Sequence, residues 1–223
     1  MSPTPQPAGN YYDKYHTANP VARRLMQGFL GAFDALAARV PVADALEIGC
    51  GEGELSIRLA RRGFRVRGCD ISAEIVEEAR QRARQANVEA TFWTQRIESI
   101  DAGTAGAQLV VCCEVLEHVD DPARAVDTLA GLAQPYLLAS VPREPVWRVL
   151  NLARGKYLGS LGNTPGHVNH WSRAGFLALL SRRFDRVDTQ TPLPWTMALC
   201  RRRCSGGRWP GARRRLPASR CSG

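Results

Sequence analysis

Ala45-Leu46-Glu47-Ile48-Gly49-Cys50-Gly51-Glu52-Gly53-Glu54 is the stretch of sequence that decides the fold. A short apolar run ends in a loop that carries glycine at the alternate positions 49, 51 and 53. A second apolar run ends in Asp70, 21 residues after Gly49. Glycine lets the backbone approach a ligand closely, and an acid at the end of the next strand can bond ribose hydroxyls. The layout predicts a site for a nucleoside-containing cofactor on a β-α-β unit.

The spacing of the glycines argues against a dinucleotide. The dinucleotide fingerprint has the form G-x-G-x-x-G and holds a pyrophosphate at a helix N-terminus. The third glycine of that pattern would fall at position 54, which is Glu54. Its carboxylate would repel a pyrophosphate, so a nicotinamide-dependent dehydrogenase is disfavoured.

Several motifs together resemble those of a known enzyme family. The pattern E-x-G-x-G-x-G from Glu47 resembles motif I of the class I S-adenosylmethionine (SAM) methyltransferases. The block Glu114-Val115-Leu116-Glu117-His118-Val119 resembles their fourth-strand motif, in the form found in small-molecule methyltransferases. Residues 11–15 resemble their N-terminal cap, and residues 167–172 resemble the segment before their last helix. Part of the pattern is also similar to the polyprenyl-benzoquinol O-methyltransferases of ubiquinone biosynthesis.

The family resemblance implies an α/β fold with a Rossmann-like, seven-stranded, mostly parallel sheet and helices on both faces. The alternation of apolar strands with amphipathic helices predicts the same class. We expect a cap or flexible segment at 1–18, one methyltransferase domain at 19–200 and a tail at 201–223. The last two strands are expected at 186–191 and 195–200. Helices are expected to begin at four polar capping residues: Asn19, Ser72, Asp121 and Ser172.

The resemblance also implies SAM as the cofactor and assigns residues to it. The three glycines would approach its methionine part, and Glu47 would lie near its ammonium and sulfonium groups. Asp70 would accept hydrogen bonds from the ribose hydroxyls, and Ile71 would pack on the adenine. The family usually places an acid near the adenine amino group, but here Gln95 or Arg96 stands there. The expected cofactor-binding residues are Glu47, Gly49, Cys50, Gly51, Gly53, Asp70, Ile71, Gln95, Arg96, Ile97 and Cys113.

Glu114 and His118 are the candidate catalytic residues, because they follow the fourth predicted strand. Methyl transfer is an in-line displacement, so the protein must align the nucleophile, exclude water and, for a hydroxyl, assist deprotonation. Both residues also belong to a set of four, which resembles the metal site of small-RNA 3′-terminal 2′-O-methyltransferases. The candidate ligands for Mg²⁺, Mn²⁺ or Zn²⁺ are Glu114, Glu117, His118 and His167. The alternative is a scaffold role for this block, without a metal.

The net charge of +9 comes from the end of the chain. Residues 201–223 hold eight arginines and no acid, and the other 22 basic residues nearly balance the 21 acidic ones. An arginine-rich tail with few large apolar residues is typical of an unstructured extension, although it also fits a nucleic-acid-binding arm. The near-neutral body shows no basic stripe, so nucleic acid is a less favoured partner than a small molecule.

The segment 143–165 interrupts the alternation of strands and helices. It combines an expected apolar face, which includes Trp147, Leu150 and Leu161, with four basic residues. Because it follows the fifth strand at the edge where ligands bind in this fold class, it is a candidate substrate lid. Its basic residues would suit an acidic substrate, or a membrane surface that holds a lipid-like one. The alternative is an amphipathic helix packed on the sheet edge.

Three functions remain open at this stage. The first is transfer of a methyl group from SAM to a hydroxyl of a small, lipid-like or aromatic molecule. The second is metal-dependent 2′-O-methylation of an RNA 3′ end, and the third is SAM binding without catalysis. The chain shows no signal-peptide pattern and no run of about 20 apolar residues, and its seven cysteines do not form a disulfide or metal pattern. We therefore expect a cytoplasmic protein; the oligomeric state cannot be derived from this sequence.

Overall fold

The computed structural model describes residues 19–41, 43–100, 106–155 and 157–203. The expected N-terminal cap and residues 204–223 of the expected tail lie outside this part of the chain.

The described residues form one seven-stranded sheet and six α-helices. The strands are β1 Asp44–Ile48, β2 Arg65–Asp70, β3 Ala90–Thr94, β4 Ala107–Cys113, β5 Ala133–Pro142, β6 Phe184–Gln190 and β7 Trp195–Arg202. The helices are α1 Pro20–Ala37, α2 Glu54–Arg61, α3 Ala73–Gln85, α4 Pro122–Leu132, α5 Val146–Ala153 and α6 Arg173–Leu180. Short 3-10 turns lie at Ile97–Ser99, Leu116–His118 and Leu158–Ser160. Within the described residues, no helix has both the length and the apolar character that a membrane span requires.

The strand order across the sheet is β3-β2-β1-β4-β5-β7-β6. The pairs among β1 to β5 are parallel, whereas β7 runs antiparallel to both β5 and β6. The carboxyl ends of the five parallel strands therefore meet at one edge, which is where this class of fold binds ligands. The predicted α/β fold class is confirmed.

Polar capping residues start four of the helices, as predicted. The Asn19 side chain accepts hydrogen bonds from two backbone N–H groups at the start of α1. Ser72, Asp121 and Ser172 cap α3, α4 and α6 in the same way, by accepting from Ile75, Arg124 and Gly175 respectively. These bonds satisfy backbone donors that would otherwise lack a partner inside the helix.

Apolar side chains fill both faces of the sheet. On one face α1 and α2 pack against the central strands through residues such as Phe29, Phe33 and Leu59. On the other face α4 and α6 do so through residues such as Leu129 and Phe176. β4 lies between these layers and is almost entirely buried, as the apolar run at 109–113 predicts.

The folded domain continues past the expected boundary at residue 200. β7 extends to Arg202, and Arg201 pairs with Tyr136 of β5 and with Asp185 of β6. Arg203 follows the strand, and its Nε lies 2.8 Å from Asp185 Oδ1. The first three arginines of the expected tail thus belong to the domain, because two neighbouring strands provide partners that local composition does not reveal.

Phe33 tests the packing of α1 on the sheet. Its side chain is fully buried, so Phe33→Ala should lower the free energy of unfolding by about 3–5 kcal/mol in urea denaturation. Val21 on the same helix is 64% exposed, and Val21→Ala should change stability by less than about 0.5 kcal/mol. Equal effects of the two substitutions would contradict the placement of this helix.

Candidate functional site

The glycine loop after β1 takes a conformation that requires glycine. Gly49, Gly51 and Gly53 have φ values of 71°, 50° and 81°, which lie in the left-handed region. A Cβ at Gly49 would lie 2.3 Å from Val115 Cγ2, and one at Gly53 would lie 3.1 Å from Ala79 Cβ. A Cβ at Gly51 would meet no atom within 4 Å. The outer two glycines therefore allow close packing, whereas Gly51 borders open space that a ligand can fill.

Asp70 joins the end of β2 to this loop. Its Oδ2 accepts a hydrogen bond from the Gly51 N–H at 3.0 Å, and its Oδ1 accepts from the Ser72 N–H at 3.2 Å. The next residue, Ile71, is an apolar side chain that remains 43% exposed. An acid and an exposed apolar surface thus lie beside the open side of the loop, as the sequence predicts for a ribose and an adenine.

Glu47 is buried in β1 beneath the loop. Its Oε2 accepts a hydrogen bond from the Ser56 hydroxyl at 2.6 Å. The pKa of Glu47 is raised from 4.5 to about 8, mainly by burial. The nearby carboxylates of Asp70 and Glu54 contribute to this rise, whereas the Ser56 bonds oppose it. A positive group brought close to Glu47 would favour its ionised form. Sequence reasoning missed Ser56, whose only signal was a polar side chain on the buried face of α2.

The residues after β3 are held mainly by local contacts. The Gln95 carbonyl oxygen accepts from Trp93 Nε1, and its amide donates to the Ser99 carbonyl at 3.0 Å. The guanidinium of Arg96 points to Glu98, with 3.6 Å between Nε and Oε2. The Ile97 side chain is buried. The backbone N–H of Gln95 donates to the Asp70 carbonyl at 2.8 Å, which ties this segment to the end of β2.

Two of the expected cofactor-binding residues, Cys50 and Cys113, are buried cysteines. All five described cysteines are free and buried: Cys50, Cys69, Cys112, Cys113 and Cys200. Burial raises their pKa values, to about 12 for Cys69 and Cys200, so all remain neutral thiols near pH 7. Neutral buried thiols act as small apolar groups, so Cys50 and Cys113 can supply packing surface but no charge.

Glu114 follows β4 with a left-handed backbone, at φ 61°. This conformation costs a non-glycine residue about 1–3 kcal/mol, so the surroundings must hold it. Its Oε1 accepts from the Ser140 hydroxyl at 3.1 Å, and its Oε2 accepts from Trp195 Nε1 at 2.6 Å. Its backbone N–H donates to the Ser140 carbonyl at 3.1 Å. Glu114 is therefore fixed by β5 and β7, two contacts that the sequence did not predict.

Glu117, His118 and His167 come together as the sequence predicts. One donor atom from each lies within 4.8 Å of the others. The group does not include the fourth expected ligand, Glu114, whose carboxylate contacts Ser140 and Trp195 instead. Glu117 is buried, His167 is half-buried and His118 is exposed. A carboxylate and two imidazoles in this arrangement are able to bind a divalent cation.

Backbone contacts bring His167 to the other two residues. The N–H groups of Val168 and Asn169 both donate to the Glu117 carbonyl, at 2.9 and 3.1 Å. The Asn169 side chain donates to the carbonyls of Leu116 and Val119, at 3.1 and 2.6 Å. Asn169, which the sequence did not single out, thus clamps the two segments together.

The His118 ring is oriented by a carbonyl group. Its Nδ1 lies 2.9 Å from the Gly166 oxygen. Because a carbonyl can only accept, Nδ1 carries the proton and Nε2 keeps its lone pair. His167 meets this ring edge-on at 4.8 Å between centroids and stacks on Trp147 of α5 at 6.0 Å. The ring orientation of His118 is therefore set by the loop that carries His167.

The start of the segment 143–165 is held to Trp171, six residues beyond its end. Arg143 pairs with Trp171 as an isolated bridge, and the Glu144 N–H donates to the Trp171 carbonyl at 2.8 Å. Asn151 is the buried residue of α5, because its amide donates to the Gly162 carbonyl at 2.8 Å. The expected apolar face is only partly buried, and Leu161 is 72% exposed.

Comparison with known proteins identifies the family. Residues 45–135 match a family described as a methyltransferase domain. The ubiquinone biosynthesis O-methyltransferase of Xanthomonas campestris pv. campestris (strain B100) is 33% identical over 162 residues, which cover 70% of this chain and 63% of that protein. The protein of the same name from Xylella fastidiosa (strain 9a5c) is 31% identical over 182 residues, with coverage of 74% and 69%. The chain thus spans less than two thirds of the length of the first of these relatives.

Solved structures give the same answer for the fold. The magnesium protoporphyrin IX methyltransferase of Synechocystis PCC 6803, crystallised with bound SAH (S-adenosylhomocysteine), is 26% identical with a TM-score of 0.65. The match covers 84% of this chain and 89% of that one. An N-methyltransferase of Bradyrhizobium japonicum WM9 shares the fold at 20% identity and a TM-score of 0.59, over 86% of this chain and 93% of that one. The motifs, the strand order and these similarities agree, and the chain belongs to the class I SAM-dependent methyltransferases.

Proposed function

We propose that this chain transfers a methyl group from SAM to a hydroxyl group of a small aromatic, lipid-like molecule. The observation that carries the proposal is the group of Glu117, His118 and His167 beyond β4, at the sheet edge where the glycine loop also lies. Such a group can bind the oxygens of a hydroxylated acceptor through a cation. The similarity to ubiquinone biosynthesis O-methyltransferases supports an oxygen acceptor.

The glycine loop fits SAM. The open space beside Gly51 leaves room for the cofactor, Asp70 can accept from the ribose hydroxyls, and the exposed Ile71 offers an apolar surface to the adenine. Glu47 would counter the positive charge of the methionine part. SAM, once bound, supplies an electrophilic methyl group, so the protein needs only to align the acceptor and exclude water.

Glu117, His118 and His167 would hold a divalent cation. With Glu114 outside the group, the donors are one carboxylate and two imidazoles, which favour Zn²⁺ or Mn²⁺ over Mg²⁺. The cation would lower the pKa of an acceptor hydroxyl.

Glu114 would then take the acceptor proton. In this arrangement Nε2 of His118 serves as a ligand, so it cannot act as the base at the same time. The Glu114 carboxylate is oriented by the side chains of Ser140 and Trp195. As the methyl–sulfur bond breaks and the methyl–oxygen bond forms, the proton passes from the hydroxyl to this carboxylate.

Residues 143–165 would cover the acceptor as a lid. Val149, Leu158 and Leu161 are 57%, 62% and 72% exposed, which gives this segment an apolar outer surface. Arg148 and Arg154 add positive charge, and the sequence places Lys156 next to them. An apolar and basic cover suits a lipid-like acceptor with a polar head.

A small-molecule acceptor in the cytoplasm is favoured over RNA. The body of the protein is nearly neutral, and the five described cysteines are free thiols, as expected in a reducing compartment. If the acceptor were RNA, removal of residues 204–223 should lower the affinity for RNA and reduce the salt dependence of RNA binding. A SAM-binding protein without catalysis would bind SAH but turn over no acceptor.

Asp70 tests the cofactor assignment. Asp70→Ala removes the charged acceptor of the hydrogen bonds that the ribose hydroxyls donate, so SAH should bind roughly 10- to 150-fold more weakly in titration calorimetry. Asp121→Ala is the matched control, because Asp121 also accepts a hydrogen bond from a backbone N–H, at the start of α4. This substitution should leave SAH affinity unchanged. Equal SAH affinity in wild type and Asp70→Ala would contradict this binding mode.

Glu47 makes SAH binding dependent on pH. The free protein carries this carboxyl with a pKa raised to about 8, and the ammonium group of SAH should favour its ionisation. Binding below pH 8 should therefore release a proton, and SAH affinity should rise with pH until about pH 8 and then level off. Calorimetry in buffers of different ionisation enthalpy measures the proton release. Glu47→Gln should abolish the pH dependence of SAH affinity. A wild-type affinity that is constant from pH 6 to 8 would refute the assigned role of Glu47.

Methyl transfer to a catechol tests the reaction and its metal dependence. With labelled SAM, the chelator-treated wild type should be inactive, and Mn²⁺ or Zn²⁺ should restore transfer to a catechol. His167→Ala should weaken metal binding more than about tenfold, because one of three protein ligands is lost. His170→Ala, three residues further on and outside the group, is the matched control. If the chelator-treated enzyme kept full activity, the reaction would not require a metal. If no hydroxyl compound were methylated, the proposed function would be overturned.

A further inference from the structure

The carboxylate of Glu114 depends on a tryptophan that lies 81 residues away in the chain. Trp195 is the first residue of β7 and pairs with Pro142 at the end of β5. Since β5 is the neighbour of β4, this register brings the indole next to the residue that follows β4. The indole Nε1 lies 2.6 Å from Glu114 Oε2, so the indole donates a hydrogen bond to this carboxyl oxygen.

The indole has little freedom to move. Trp195 is 5% exposed, and its ring meets Phe29 of α1 edge-on at 5.0 Å between centroids. On another side it meets Trp147 of α5 at 5.7 Å. A donor packed between two aromatic rings keeps a fixed direction, so its N–H selects one orientation of the carboxylate.

The second oxygen of Glu114 has an equally rigid donor. Ser140 is fully buried in β5, and its hydroxyl lies 3.1 Å from Oε1. Two buried donors on two different strands therefore determine both the position and the rotation of one carboxylate. The Glu114 carboxylate, which follows a left-handed backbone, is held by these two donors and is not part of the group of Glu117, His118 and His167.

We propose that Trp195 is a positioning residue that fixes the orientation of the Glu114 carboxylate for proton transfer. The inference rests on the role of Glu114 in the proposed function, and Trp195 itself acts only through Glu114. Because the same ring packs on Trp147, the position of α5 in the lid and the orientation of the carboxylate are mechanically linked.

The contact can be measured without an acceptor. The chain has five tryptophans, so Trp195→Phe should remove one of five indole N–H signals and thereby assign it. In the wild type this signal should exchange slowly with solvent, since the donor is buried and bonded to a carboxylate. Glu114→Ala should shift the signal and speed its exchange. A Trp195 signal that does not respond to Glu114→Ala would overturn the contact.

The positioning role is tested by kinetics on the holoenzyme with a catechol. Trp195→Phe keeps an aromatic ring but removes the donor, so kcat should fall roughly 10- to 100-fold. KM for SAM and the SAH dissociation constant should change less than about threefold. In the Glu114→Gln background, Trp195→Phe should lower kcat less than about twofold further, because both substitutions remove the same interaction.

Trp171→Phe is the matched control. It makes the same chemical change at an indole N–H that has no hydrogen-bond partner among the described residues. Its kcat should equal that of the wild type. If Trp195→Phe kept the wild-type kcat while Glu114→Gln lowered kcat, the positioning role of Trp195 would be refuted. The role of Glu114 in proton transfer would still stand. If the wild type methylated no catechol, the proposed function would fail, and the indole signal alone would decide whether Trp195 orients Glu114.

Discussion

Parallel pairing of the first five strands is the constraint on which the rest of the structure depends. Because these strands run in one direction, the loops that follow them all emerge at one edge of the sheet. The glycine loop, Asp70 and Glu114 are neighbours for this reason alone, although they are widely spaced in sequence. The buried strands β1 and β4 at the centre make this edge rigid, which is what a site needs when alignment is its main contribution to the chemistry.

The antiparallel strand β7 brings its first residue, rather than its last, to the edge of the sheet that carries the site. It does so because it runs in the opposite direction to β5. Trp195 reaches Glu114 through this reversal. β7 is thus both the strand that closes the core against α1 and the source of a donor for the site.

Local features of the fold were predictable from the sequence, and long-range contacts were not. The capping residues Asn19 and Ser72 act on N–H groups within three residues, so their role can be inferred from the neighbouring sequence. The glycine loop is equally local, because its φ values depend on the loop itself. The bonds from Ser56 to Glu47 and from Trp195 to Glu114 join different elements, and nothing in the pattern of either partner indicates the other. For the same reason the sequence grouped Glu114 with Glu117, whereas in the structure Ser140 and Trp195, on two other strands, hold the Glu114 carboxylate.

The bridge between Arg143 and Trp171 closes the segment between them into a single replaceable unit. Its two ends leave the sheet edge side by side, so the intervening residues can change in length and composition while the strands stay in place, provided that the contact between Trp147 and Trp195 is kept. That unit carries the cover of the proposed acceptor site, and it also carries His167. A change of this one segment would therefore alter both the acceptor that fits and the donors that hold it, while the cofactor end of the protein stays as it is. Under the proposed function, exchange of this one insertion would give a new acceptor specificity without a change of cofactor.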